Sequence, residues 1–438
     1  MRSGGALAAL ALLVAAGAGA QSFDLSGDLS LQGRWYPRSP AFPGQRSSTA
    51  GMVVEPTLYA DLAANASFTF TPLYRYDSAD SRRTHADLRE AYFLMYGGWG
   101  DNAWELRLGL DRVFWGVAEL HNLVDVVNQL DLVEHPRNRP KLGQPMAHLT
   151  VSGDWGMAEA FVLPYHRKRT FPGRGGRLRS GHPIDKSAAY ESGAEERHVD
   201  FAVRYSHAMG ILDLGLSAFR GTGREPAFQV ANADDPLAGR SLLRHQQSAT
   251  LGQAEGSLIG EPSGPSSVTE PSLTPYYEQI RQFGIDAQLT TGPWLIKTEA
   301  IHRAGASNLL GEEEDYQAYI FGLERSLHGL FGSSADLTVL AEWLYDDRGR
   351  RAPSIWANDL FIAAFLALND VRTTEAAVGI LGDLRHNARS LNLELKRHLS
   401  QNWTMRLEAI IPLQSDPRDL TYAGRRDGFV GVDFTYSF

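Results

Sequence analysis

Along most of the chain apolar and polar residues alternate with a period of two. From Phe23 to Trp35, the residues Phe23, Leu25, Leu29, Leu31 and Trp35 fall on one side of an extended segment. Asp24, Ser26, Asp28, Ser30, Gln32 and Arg34 fall on the other. Successive side chains of a strand point to opposite faces, so such a run predicts a strand with one greasy and one wet face. Trp104, Leu106, Leu108 and Leu110 oppose Glu105, Arg107 and Asp111 in the same way. Val199, Phe201, Val203 and Tyr205 oppose His198, Asp200 and Arg204; Leu337, Val339, Ala341, Trp343 and Tyr345 oppose Asp336, Thr338 and Glu342. Trp403, Met405, Leu407, Ala409 and Ile411 oppose Thr404, Arg406 and Glu408. Helical spacing fits none of these runs.

Tight turn signals at Gly97–Asn102, Ser152–Gly156, His207–Gly210, Thr291–Pro293, His328–Ser334, Asn369-Asp370 and Ser400–Asn402 take turns with longer polar segments. Those segments are Pro37–Gly51, Gly116–Pro145, His166–Glu196, Gly221–Pro275 and Asp346–Ala357. Short turns on one side and long loops on the other are the layout of a membrane β-barrel. The expected fold is therefore all-β: a transmembrane antiparallel up-and-down β-barrel of about eighteen strands, or sixteen, with one loop folded into the lumen. The faintest strands lie near Met52–Leu62 and Met146–Ser152. A soluble β-sandwich shares the alternation, but its strands do not all pair as sequential hairpins, and it has no reason to place aromatic residues at so many strand ends.

Composition narrows the picture. The chain is 43% hydrophobic and 10% aromatic, yet beyond the first residues it has no apolar run long enough for a membrane helix, Leu360–Leu368 being the longest. Arg2, the apolar stretch Ala6–Ala16 and the small residues Ala18-Gly19-Ala20 predict a secretory signal peptide over 1–20, leaving 21–438 as the barrel. The absence of Cys excludes a lipoprotein anchor, disulfides and thiolate chemistry. A formal charge of -9 gives no reason to expect nucleic acid as a partner.

The polar faces carry both signs: Arg34, Arg75, Arg107, Arg204, Arg281, Lys297, Arg303, Arg325 and Arg406 against Glu105, Asp111, Asp200, Glu299, Glu342, Glu394, Glu408 and Asp433. Charge on a lipid-facing wall costs roughly 2–4 kcal/mol at the bilayer midplane, so these positions predict a wet, mixed-charge interior. A greasy conduit is disfavoured. Gly116–Pro145 mixes Leu120, Leu123, Val124, Val126, Val127, Leu130 and Leu132 with Asp125, Asn128 and Asp131, whose three-residue spacing suits one face of a helical or 3₁₀ turn. Such an apolar loop predicts a constriction tucked into the mouth or lumen. The middle of the next long loop, Ser257–Thr274, reads as a mobile loop, and the basic stretch His166–Arg179 as a solvated loop or a site for lipopolysaccharide phosphates or an anionic solute.

The terminal stretch Gly428–Phe438 alternates Val430, Val432, Phe434, Tyr436 and Phe438 with Phe429, Gly431, Asp433, Thr435 and Ser437. It resembles the closing strand of bacterial outer-membrane barrels. The resemblance implies a place in the cell outer membrane, contact with its lipid and lipopolysaccharide, and recognition by barrel-assembly machinery through Phe438. The run Leu108-Gly-Leu-Asp-Arg-Val-Phe-Trp-Gly116, the later Asp125–Asp131, and Phe219–Pro226 resemble porin-like outer-membrane proteins of Gram-negative bacteria, distantly the alginate-export porins. That resemblance implies a monomeric barrel for passive or facilitated passage of a small polar solute it does not specify. Alginate exporters have a strongly electropositive constriction, from which the mixed charges here depart.

Nothing in the sequence points to catalysis, a cofactor or a metal. The 13 His, among them His121, His135, His166, His182 and His245, stand in no nucleophile or zinc motif. The first strand begins almost at Phe23, which leaves no plug domain and makes energy-coupled import an unsuitable reading. The expected function is a passive channel; an exporter or assembly component for polysaccharide or lipid is the alternative, and a barrel hydrolase the third. The expected pore residues are Arg107 and Asp111 on the wall, Asp125, Asn128 and Asp131 in the inward loop, Arg220, Arg224 and Glu225 at the rim, and Arg281 and Arg303 beside them.

Overall fold

The computed structural model describes residues 22–135, 140–230 and 272–438. The signal-peptide reading over 1–20, His245, and most of the Ser257–Thr274 segment lie outside the described residues. The strands are β1 (Ser22–Trp35), β2 (Ser48–Ala63), β3 (Ala66–Asp77), β4 (His85–Trp99), β5 (Asn102–Asp111), β6 (Gln144–Gly153), β7 (Gly156–Leu163), β8 (Ala189–Tyr190), β9 (Asp200–Met209), β10 (Leu212–Thr222), β11 (Ala227–Val230) and β12 (Leu273–Tyr277). They continue as β13 (Gln279–Thr291), β14 (Trp294–Ala304), β15 (Tyr316–Leu327), β16 (Asp336–Asp346), β17 (Asn358–Ala367), β18 (Glu375–Asp383), β19 (Arg389–His398), β20 (Trp403–Gln414) and β21 (Phe429–Ser437).

Eighteen of these form one antiparallel sheet in which each strand pairs with its neighbours in the chain. The sheet closes on itself where β21 pairs with β1, from Asp28↔Ser437 to Trp35↔Val430. Phe438 and Gly27 add a reciprocal pair of peptide hydrogen bonds at 3.0 Å each. Closure removes both sheet edges, so the ladders run around the whole wall. The expected eighteen-strand barrel is thus what the chain forms. The faint strands are real as β2 and β6, and β2 begins at Ser48, inside a segment expected to be loop. β8, β11 and β12 make a small separate sheet among the long loops, also within segments expected to be irregular.

One end of the barrel carries tight turns, the other the long loops. The outer face is aliphatic in the middle, with Val203, Leu216, Ile285, Ile362 and Ile380 all well exposed. Aromatic residues flank that zone: Trp99, Trp155, Trp294 and Trp403 toward the turn end, and Trp35, Tyr76, Phe201 and Trp343 toward the loop end. Three arginines expected in the pore or at its rim stand on the outer face instead. Arg325 lies over the Trp294 ring at 4.9 Å, near the turns. Arg220 and Arg281 are exposed and sit directly opposite each other across the β10–β13 ladder, beside exposed Phe201 and Phe283. The inward position beside Arg220 belongs to Phe219, which is buried in an interior apolar cluster with Trp115, Val126 and Ile280.

Candidate functional site

The loop between β5 and β6 enters the barrel and crosses it. Its apolar residues do what solvent would not allow them to do elsewhere: Trp115, Val124, Val126 and Val127 are buried against inward Phe161, Phe219, Ile280 and Ile301 of the wall. Trp115 meets Phe161 edge to face with ring centres 5.5 Å apart. Each such side chain contributes roughly 1.5–3 kcal/mol to docking. Two glycines permit the approach. Gly116 has φ +120, and a Cβ there would meet Glu299 Oε1 at 2.6 Å; one at Gly284 would meet Val124 at 2.9 Å.

Two fully buried wall carboxylates hold the near end of the loop. Glu299 on β14 accepts peptide N–H groups from Val117 (2.8 Å), Ala118 (3.0 Å), Leu123 (2.6 Å) and Val124 (3.3 Å), and the Asn122 side-chain amide at 3.1 Å. Glu342 on β16 accepts those of Glu119 (2.7 Å) and Leu120 (2.9 Å). A loop without helix or strand leaves its N–H groups unpaired, and these carboxylates satisfy them. The far end is held on β3 and β4. Arg89 donates to Asp131 at 2.7 Å, and Arg75 Nε to Glu134 at 2.7 Å. His135 lies 2.9 Å from Glu408 of β20. In an eighteen-strand ring, β3–β4 and β14–β16 stand on opposite sides, so the loop spans a diameter.

This arrangement corrects the helical reading of the loop. Asp125, Asn128 and Asp131 share no face; each serves a different contact. Asp125 pairs with Lys141. Asn128 clips the loop's neck, accepting the Val113 N–H at 2.9 Å and donating to the Asp111 and Leu142 carbonyls. Asp131 is locked to Arg89 and also accepts the Thr170 hydroxyl at 2.5 Å. Asp111 pairs with Arg107 at 3.2 Å and caps the Arg112 N–H at 2.7 Å.

Part of the lumen is filled by the apolar cluster around Trp115, Val124 and Val126. Beside β16–β19 a cavity of about 800 Å³ remains. At the loop end it is bordered by Arg169, Arg224, Glu225 and Arg303, and toward the turns by Glu375, Glu394 and Lys396. Arg107, Asp111 and Asp131 do not border it. One flank is apolar, formed by Leu120 and Leu123 of the loop and Phe361, Ala363 and Phe365 of β17. The interior is therefore less uniformly polar than expected. The buried faces of Ile320, Leu340 and Leu344 lie under the loop.

At the mouth, Arg303 pairs with Glu225 at 3.1 Å, and Arg224 with Asp200 at 2.9 Å. Crowding by the surrounding protein at the mouth pushes the half-exposed Glu225 carboxyl up, but Arg303 and Arg169 outweigh it and hold it at about 2. Arg169 donates through Nε to Gln129 at 2.9 Å. Sequence reasoning placed Glu299 and Glu342 in the lumen but not in the site. The available signal was their setting: Glu342 sits between inward Leu340 and Leu344, and a lone carboxylate on an apolar inner face requires donors from elsewhere.

Above the mouth His166 is fully buried, with its ring 4.5 Å from that of Tyr277 and Nδ1 3.3 Å from the Tyr190 hydroxyl. Burial, then the charge of Arg224, holds its imidazole well below the usual range, against the pull of the Gly223 carbonyl. The folded loop keeps His166 neutral while the undocked loop takes up a proton near pH ~6.5. Docking should therefore weaken as pH falls below ~6.5, by up to about 1.4 kcal/mol per pH unit, and be insensitive above it. Protease cleavage within 166–197 should rise on acidification, and His166→Phe should abolish that rise; equal acid sensitivity in both proteins would refute the role of His166.

The sequence matches no family model and no curated protein. Among solved structures it is similar to mutants of the porin of Rhodopseudomonas blastica. One gives a TM-score of 0.42 and another 0.43, each at 11% identity and covering 95% of this chain and 100% of the porin chain.

Proposed function

We propose that the protein is a passive, selective channel of the bacterial outer membrane for small polar solutes. The observation that carries this reading is the cavity left open beside β16–β19, bordered by charges of both signs from the loop end to the turn end. The aliphatic outer belt between two aromatic bands suits a lipid bilayer, with the long loops outside the cell. A loop across a diameter narrows an otherwise wide lumen, and opposed charges at the mouth select among solutes by their charge. The apolar flank suits solutes with a hydrocarbon or ring face. Export of a polyanion, the activity suggested by likeness to alginate-export porins, is not favoured, because Glu225, Glu375 and Glu394 share the path with the cations.

Selectivity is assigned to Arg303, Glu225 and Lys396 rather than to Arg107 and Asp111, which lie off the cavity. Purified protein in a planar bilayer should give stable single-channel currents. Arg303→Glu should move the reversal potential in a salt gradient toward cation preference by tens of millivolts. No current from a folded barrel would sink the channel reading; an unmoved reversal potential would sink the assignment to Arg303.

A further inference from the structure

At the loop end of the barrel, the ends of β17 and β18 meet the 415–428 loop. Asp383, His386 and Asp419 converge there, with one ligand atom from each lying within 4.8 Å of the others. A single ion bound at about 2.0–2.2 Å holds tetrahedral ligands about 3.3–3.6 Å apart, so these side chains would close in by up to about an ångström on binding. Each carboxylate already has one oxygen committed to its own loop: Asp383 Oδ1 accepts the Arg385 and His386 N–H groups at 2.5 and 2.6 Å, and Asp419 Oδ1 accepts that of Thr421 at 2.7 Å. Their other oxygens are left for a shared partner. His386 Nδ1 stands 3.6 Å from Asp383 Oδ2, too far for a hydrogen bond.

The independent observation is Asp359. It is 3% exposed and stands directly across the β17–β18 ladder from Asp383 on the inner face. It accepts its own neighbour's peptide N–H at 3.2 Å, and among the described residues no ion pair engages it. A buried carboxylate with no cation bound to it is costly. Arg385 lies over the Tyr345 ring at 5.7 Å, and Arg418 is taken by Asp416 at 2.7 Å. Among the described residues no arginine or lysine forms an ion pair with Asp359, Asp383 or Asp419. The other cluster of this kind among the described residues, His85, Asp131 and Glu134, differs on this point, since Arg75 and Arg89 already pair with its carboxylates.

We propose that Asp383, His386 and Asp419, backed by Asp359, bind one divalent transition-metal ion of the zinc type at the mouth of the barrel. Mixed carboxylate and imidazole donors favour such an ion over calcium or magnesium, which prefer oxygen alone. Bound there, it would tie the 384–388 turn to the 415–428 loop.

The test uses the full barrel, folded in detergent and stripped with chelator, then titrated with zinc chloride by calorimetry. One zinc per chain is expected. The paired substitution His386→Ala with Asp419→Asn should weaken binding at least about tenfold, while Asp416→Asn keeps wild-type affinity. Heat-modifiable migration in gels checks that each variant is folded. Absence of stoichiometric zinc on the folded wild type, unchanged affinity in the paired variant, or an equal loss in Asp416→Asn would each overturn the site. No current is measured, so a barrel that binds zinc but does not conduct would refute the channel and leave the site standing.

Discussion

With Glu299 and Glu342 both replaced by alanine, single-channel conductance should rise several-fold. The two carboxylates accept six peptide N–H groups of the inward loop. Hydrogen bonds to a charged acceptor contribute about 1.5–3 kcal/mol each, and a buried donor left without one costs about 1–3 kcal/mol. The carboxylates themselves pay desolvation at full burial, which lowers the net gain, but their removal strands all six donors at once. The apolar contacts of Val124 and Leu123 cannot hold the segment in place while its backbone seeks water. A loop that swings out of the diameter leaves the wide lumen of an eighteen-strand barrel. Glu342→Ala alone should give an intermediate value, because Glu299 still fixes four N–H groups. Unchanged conductance in the double variant, with no new protease cleavage in 116–130, would show that the loop is held by something else.

Replacing Arg89 by methionine should destabilise the protein by about 3–5 kcal/mol, the cost of breaking a buried ion pair from one side. Arg89 is 1% exposed and bonds both Asp131 and Asp87. Its loss leaves Asp131 fully buried with a single hydroxyl donor, Thr170, on its side chain. A thermal midpoint in detergent measures the effect. Asp131→Leu added to Arg89→Met removes the stranded charge and should recover part of the loss, a coupling that a double-mutant cycle reads directly. Additive losses would mean that the pair does not act as a unit.

Much of this architecture is written in the period of two. The alternation in Phe23–Trp35 or Trp403–Ile411 gives the strand, its faces and its length, because a slip by one residue would turn every apolar side chain onto the polar inner face. That penalty vanishes at the ends of the wall. Arg220 and Arg281 lie near the loop end and Arg325 near the turns, where water or an aromatic ring accepts an outward guanidinium. Charge there no longer reports the inner face, and Phe219 turns inward because the loop's Trp115 and Val126 await it. The inward loop was legible from its apolar residues, yet its path was not. Contacts such as Val117 with Glu299 join positions 182 residues apart and depend on the barrel's closure for their existence. The spacing of Asp125, Asn128 and Asp131 suggested a common face that only a helix would supply, and the loop's N–H groups are satisfied by the wall instead.

The β1–β21 seam also dictates an order of events. Ser30 and Thr435 face each other at 2.8 Å although 405 residues separate them in the chain. Contacts of such sequence separation form last, after the hairpins between have paid most of the entropy of bringing the ends together. Until β21 arrives, the growing sheet has two unpaired edges, each a template for another chain. The barrel's resistance to aggregation is thus acquired in a single late step, and a cell that makes this protein must shield the open sheet until that step is complete.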